Sequence, residues 1–176
     1  MKKLSMMIAL VLVLTTSIIA GTLAMYTTKV DNIAEGNVIA KEFVLLKGGT
    51  DSFTKNIKTA PGETVNWLYS VKNYNGSVVS ETAMNLDFSI DILAADGKTA
   101  IAPLVVTVKD STGKVVGTVT SNGKIQFTDE FPLNAAGQEK TYSVSVNWPS
   151  NNDVDSSYAG TSYGTAVKVS VLGTQK

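Results

Sequence analysis

The sequence predicts an all-β protein: antiparallel strands forming a two-sheet sandwich of jelly-roll type, preceded by an N-terminal signal peptide. Three observations carry the prediction. Short runs of β-branched and aromatic residues alternate with polar residues at period two, as strands with one buried and one wet face require. Gly, Asn, Asp and Pro clusters punctuate those runs at short intervals. After residue 24 no stretch shows the 3.6-residue periodicity of a helix.

The elements follow in order. Asn37 to Leu46 is the first strong run and ends at Gly48-Gly49. Ser52 to Lys58 is a weaker alternating strand, closed by Ala60-Pro61-Gly62, with Pro in its usual turn position. Val65, Trp67, Tyr69 and Val71 then share one phase, and Asn73-Tyr74-Asn75-Gly76 turns the chain. Met84, Leu86, Phe88, Ile90 and Ile92 alternate cleanly with Asn85, Asp87, Ser89 and Asp91, up to the turn at Asp96-Gly97. Leu104, Val106 and Val108 precede Ser111-Thr112-Gly113. Runs at Lys114–Thr120 and Lys124–Thr128 flank Ser121-Asn122-Gly123, where Asn-Gly signals a hairpin. Tyr142, Val144, Val146 and Trp148 share a phase; a polar loop fills Pro149 to Gly164; Val167, Val169 and Val171 close the chain. This makes about nine strands, which pack most economically as two face-to-face sheets.

The N-terminus reads as an export signal. Lys2 and Lys3 precede an unbroken apolar run from Met6 to Leu14, and Thr22-Leu23-Ala24 is a small-x-small cleavage site. Thr15, Thr16 and Ser17 interrupt the apolar run, so a cleaved signal is expected in place of a membrane anchor. Cleavage falls between Ala24 and Met25. No later segment is apolar enough to span a bilayer. The expected organisation is residues 1–24 as signal, 25–35 as an extended N-terminal segment, and 36–176 as the sandwich domain.

Composition narrows the chemistry. The chain of 176 residues has 15 basic and 15 acidic residues; losing Lys2 and Lys3 leaves 13 against 15, a net charge of −2. That balance disfavours nucleic acid or an anionic membrane surface as partner. Cys, His and Arg are all absent. Without His there is no Ser-His-Asp triad and no H-E-x-x-H zinc site; without Arg there is no bidentate fork for phosphate or carboxylate. Enzymatic activity is therefore not expected, nor is a cofactor. Without Cys, an exported domain of this size rests on its apolar core alone.

Candidate sites each have a plainer reading. Asn151, Asn152, Asp153, Asp155 and Ser156 offer oxygen ligands at short spacing, yet lack the Gly and Glu positions of an EF-hand loop, so a solvated loop is expected. Asp87 and Asp91 lie on one strand face with Asn85 and Ser89, the pattern of a wet face as well as of paired catalytic carboxylates. Trp67, Tyr69 and Trp148 would suit sugar stacking, but they share phase with Val65, Val71, Val144 and Val146, which places them in the core. Lys72, Lys109 and Lys114 read as solubilising or edge-protecting charges.

Three ordered stretches resemble the TasA and camelysin (CalY) family of exported bacterial fibre proteins. The first is Thr22-Leu23-Ala24, then Met25-Tyr26-Thr27-Thr28-Lys29-Val30-Asp31-Asn32, then Glu35-Gly36-Asn37-Val38. The second is Ile57 to Thr64 with its Pro61-Gly62-Glu63 turn, followed by an alternating strand and Asn75-Gly76-Ser77. The third is Tyr158-Ala159-Gly160 before a last strand ending in Gly173-Thr174-Gln175. The chain is shorter than TasA and lacks a segment for its helical insertions.

The resemblance implies a subunit of extracellular, biofilm-matrix or cell-surface fibres, exported through a dedicated signal peptidase, with an accessory matrix protein as a further partner. It also implies head-to-tail homopolymerisation, in which the N-terminal segment of one copy completes a sheet of the next. The donor would be Met25, Tyr26, Thr27, Thr28, Lys29, Val30, Asp31 and Asn32, swinging about Gly36. Tyr26, Thr28 and Val30 would share one face of that strand. Backbone hydrogen bonds would supply affinity and alternate side chains the fit, and a contact that does not close on itself makes filaments. Camelysin-type relatives also raise a cell-surface metallopeptidase, and the aromatic residues a carbohydrate-binding or adhesion module, as alternatives.

Overall fold

The structure is a computed structural model and describes residues 37–151 and 153–176. The signal, the Ala24–Met25 junction, the donor residues Met25 to Asn32 and the hinge Gly36 lie outside the described residues, as does Asn152.

The described residues form ten strands: β1 Leu46–Asp51, β2 Thr64–Lys72, β3 Tyr74–Asn75, β4 Val78–Val79, β5 Met84–Ala94, β6 Val105–Lys109, β7 Val115–Thr120, β8 Gly123–Phe131, β9 Glu139–Asn147 and β10 Thr165–Gln175. A 3-10 turn at Asp155–Tyr158 interrupts the last long loop. The strands form a five-stranded sheet in the order β1-β2-β9-β6-β7, a three-stranded sheet in the order β10-β5-β8, and the small β3-β4 ribbon. All strand pairs are antiparallel.

One core joins the two larger sheets. Tyr69 and Val71 of β2, Val106 and Val108 of β6, and Tyr142, Val144 and Val146 of β9 face Met84, Leu86, Phe88, Ile90 and Ile92 of β5 with Ile125 and Phe131 of β8. Aromatic rings knit the middle: Phe88 stacks on Phe127 at 4.5 Å and lies 4.6 Å from Tyr142 of the opposite sheet. The period-two pattern of β5 is realised in full, its five apolar side chains buried and its polar ones alternately out.

The first strand departs from the sequence reading. Residues 37–45 form no strand, and β1 runs through Gly48-Gly49, where a turn was expected. The reason is steric. A Cβ at Gly48 would sit 2.1 Å from Ser70 Oγ and 2.3 Å from Glu139 Oε1, so this glycine allows β1 to lie tightly on β2. Ser52 to Lys58 is not a strand either. Asn56 takes a positive φ of 60°, which breaks an extended run, and the Asp51 side chain accepts a hydrogen bond from the Phe53 amide at 2.9 Å in a local turn. Two strands were missed, β3 and β4, short enough that the sequence reads as a turn there.

Ser121-Asn122 does not close a ladder between its flanking strands. β7 pairs with β6 and β8 pairs with β5, so the chain crosses here from one sheet to the other, with Ser121 at φ 68°. Glycines permit the close crossing: a Cβ at Gly117 would meet Ile125 Cγ2 at 2.3 Å.

Candidate functional site

Among the described residues β10, at one border of the three-stranded sheet, is the longest edge strand. β10 pairs with β5 through 11 consecutive residues, Thr165 opposite Ala94 to Gln175 opposite Met84. On its other side β10 has no strand neighbour among the described residues. Its inward side chains Val167, Val169 and Val171 remain only half-buried, whereas the inward residues Leu86, Ile90 and Ile92 of the adjacent β5 are sealed. Thus, among the described residues, the core is covered at its centre and only partly covered at this border.

A groove of about 330 Å³ runs along that border, lined by Val169 and Val171 on one side and by Lys47, Asp51, Phe53, Tyr69, Ser70 and Val71 on the other. Its floor is apolar and its rim carries the Lys47–Asp51 ion pair. That hydrogen bond from Lys47 holds the Asp51 carboxyl below its ordinary value, helped by the Phe53 amide. Phe53 packs over Trp67 with ring centroids 4.9 Å apart and closes one end of the wall.

Tyr69 is the unusual member. The residue is 7% exposed, and its hydroxyl has no hydrogen-bond partner among the described residues. Burial pushes its phenol well above the ordinary value, so it stays an O–H donor at any physiological pH. A buried donor without an acceptor costs free energy that a bound acceptor would return.

The wall is braced from the solvent side. Glu139 of β9 accepts hydrogen bonds from Ser70 Oγ at 2.5 Å, the Gly49 amide at 2.7 Å and the Tyr74 hydroxyl at 3.3 Å. The Ser70 and Gly49 donors lower the Glu139 pKa, against a small opposing effect of burial. This carboxylate pins the bulged strand β1, whose register shifts between Lys47 and Asp51.

Other residues singled out in the sequence are placed as follows. Trp148 is buried at 4% exposure and donates its indole N–H to Asp155 Oδ1 at 3.1 Å. Trp67 packs against the core. Neither forms an exposed sugar platform. In the long loop, Asp155 also accepts from the Asn151 amide at 2.7 Å, and the Asn151 side chain accepts from the Asp153 amide at 3.1 Å, so these oxygens build the loop itself. Asp91 pairs with Lys124 at 3.2 Å. Asp87 lies in a second hollow of about 510 Å³ with Asn85, Thr128, Asp129, Glu130 and Thr174. There Glu130 is bound by Lys176 at 2.6 Å and Asp129 by Lys140 at 2.5 Å. Lys72 lies over the Tyr74 ring at 4.9 Å, and Lys114 donates its amide to Asp110. Among the described residues no group of three or more acidic, His or Cys side chains converges as a metal site, and no helix is long and apolar enough to cross a membrane.

The sequence reading named Tyr69 only as one of three aromatics suited to sugar stacking, and did not name Glu139 or Lys47. Tyr69 carried a usable signal, a hydroxyl at a core-phase position. The other two carried none.

No family model matches the chain, and no characterised protein sequence matches it.

Proposed function

We propose that this chain is a secreted, non-enzymatic structural subunit that polymerises head-to-tail into extracellular, matrix or cell-surface fibres. In this reading residues 1–24 are a signal removed between Ala24 and Met25, and the domain is a sandwich of jelly-roll type. The N-terminal segment Met25–Asn32 of one copy is added to the free edge of β10 on the next.

The observation that carries the reading is the edge of β10 that has no strand neighbour among the described residues, beside an apolar groove. An edge strand of 11 residues exposes a row of amide and carbonyl groups. Proteins usually blunt such an edge with charge, proline or a bulge; here Lys168 is the single charged side chain on β10 and its pairing with β5 is regular. An added strand would satisfy those groups and cover Val169 and Val171 with alternate side chains. Tyr26, Thr28 and Val30 lie on one face of such a strand. The absence of His, Cys and Arg from the sequence supports a structural role over catalysis.

The test is deletion of Met25–Asn32 from the mature protein. The truncated domain should remain folded, with cooperative unfolding, and fail to form filaments in electron microscopy or to sediment. Fibres of unchanged appearance from the truncated protein would sink the proposal.

A further inference from the structure

We propose that the groove between β1 and β10 binds a small neutral molecule with an apolar body and one carbonyl, which accepts a hydrogen bond from the Tyr69 hydroxyl. An occupied groove cannot also receive a strand, so such a ligand is a brake on assembly. The brake rests on the proposed function; the binding itself does not.

The polar side chains of the groove decide the ligand's chemistry. Four line it, Lys47, Asp51, Tyr69 and Ser70, and three of them are already engaged. Lys47 and Asp51 neutralise each other at the rim, and Asp51 also accepts from the Phe53 amide at 2.9 Å. Ser70 Oγ donates to Glu139 Oε1 at 2.5 Å and accepts from the Thr50 amide at 2.9 Å. Tyr69, 7% exposed, is the one whose hydroxyl has no partner among the described residues.

Charge follows from the same inventory. With the rim charges paired, an ion entering the groove would lose hydration without gaining a counter-ion from the lining side chains. A neutral acceptor meets the one open donor and restores the hydrogen bond that burial denies it.

Size and walls set the apolar body. A volume of about 330 Å³ holds about eleven non-hydrogen atoms at roughly 30 Å³ each, and lies at the lower end of ligand pockets. The other walls are Phe53, Val71, Val169 and Val171. Val169 and Val171 are half-buried, so covering them with an apolar group is favourable. The Phe53 and Tyr69 rings, with centroids 6.1 Å apart and planes at 67°, offer an edge and a face to an aromatic ring. An aryl ketone, ester or amide of one ring fits these terms.

The probe is acetophenone, with cumene as a partner of the same shape that lacks the oxygen. Titrated into the mature protein below its assembly concentration, acetophenone should shift the backbone amide NMR signals of Phe53, Val169 and Val171 saturably. In the wild type its methyl group should also show NOEs to the Tyr69 ring protons, a readout independent of any variant. Tyr69→Phe keeps the ring and should weaken acetophenone about three- to tenfold while leaving cumene unchanged. Val169→Phe, which fills the groove, should abolish binding of both. Absence of saturable shifts and NOEs at these residues, or an equal loss for both probes in Tyr69→Phe, would overturn the site. At ten times its Kd, acetophenone should raise the protein concentration needed for fibres about tenfold. Binding without that rise, with the deletion of Met25–Asn32 still abolishing fibres, would overturn the brake and leave the proposed function standing. Fibres from the deleted protein would remove the proposed function and the brake with it, whatever the NMR titration shows.

Discussion

Asp129 of β8 accepts a hydrogen bond from the Tyr142 hydroxyl of β9 at 2.8 Å, a polar tie between the two sheets at the margin of the apolar core. Lys140 Nζ lies 2.5 Å from the other carboxylate oxygen and also faces the Phe131 ring, 5.9 Å away. The Tyr142 ring is packed between Tyr69 at 5.3 Å and Phe88 at 4.6 Å. Tyr142→Phe keeps this packing and removes only the tie, so it should destabilise the domain by about 1–2 kcal/mol. Asp129→Ala, which strands both the Lys140 ammonium and the hydroxyl, should cost about 2–3 kcal/mol. Urea unfolding would read both as a lower midpoint with an unchanged slope.

Acid should weaken the same tie. Burial pulls the Asp129 carboxyl upward, and the hydrogen bonds from Lys140, the Glu130 amide and Tyr142 outweigh it, leaving its folded pKa below the ordinary 3.8. Glu139 is likewise held below 4.5, chiefly by Ser70. A depressed carboxylate contributes stability that is complete above its unfolded value and is lost as pH falls through the folded one. The melting temperature should therefore hold steady down to about pH 5 and decline below about pH 4. Asp129→Asn, measured by calorimetry across that range, should start lower at neutral pH and decline less steeply.

The crossing between sheets makes a steric prediction. Gly117 has ordinary strand geometry, and only the approach of Ile125 forbids a side chain there. Gly117→Ala should therefore cost about 1–3 kcal/mol by overpacking. Gly117→Ala combined with Ile125→Val, which trims the opposing methyl, should recover part of that loss in thermal unfolding.

Much of this architecture was legible in the sequence because it rests on period two. The alternation of β5, β9 and β10 marked both their extent and their buried faces, and the positive φ of 69° at Gly97 sits in the turn its Asp96-Gly97 pair announced. What failed depends on neighbours far along the chain. Gly48 reads as a turn residue until Ser70 and Glu139 are placed beside it. Asn37 to Leu45 has strand composition, yet no strand of the sheet lies alongside it. Asp129 could have been flagged, since it shares phase with Ile125, Phe127 and Phe131; an acid at a core-phase position needs a partner. The groove itself was not legible, because it arises where β10 of one sheet ends its cover over β2 of the other.

Tyr69 separates folding from assembly. Its hydroxyl is buried and finds no acceptor among the described residues. Tyr69→Phe removes that donor while keeping the ring contacts to Tyr142 and Phe88, and should leave the monomer equally stable or more stable by about 1 kcal/mol. If a strand entering the groove brings a backbone acceptor within reach of the hydroxyl, the Phe variant forfeits that bond on assembly. The expected signature is therefore opposite in the two measurements: an unchanged or higher melting temperature, with a several-fold higher critical concentration for fibres. A variant that melts earlier would mean that the hydroxyl is already satisfied within the monomer. Unaltered assembly of a well-folded Tyr69→Phe protein would mean that the hydroxyl does not meet the incoming strand.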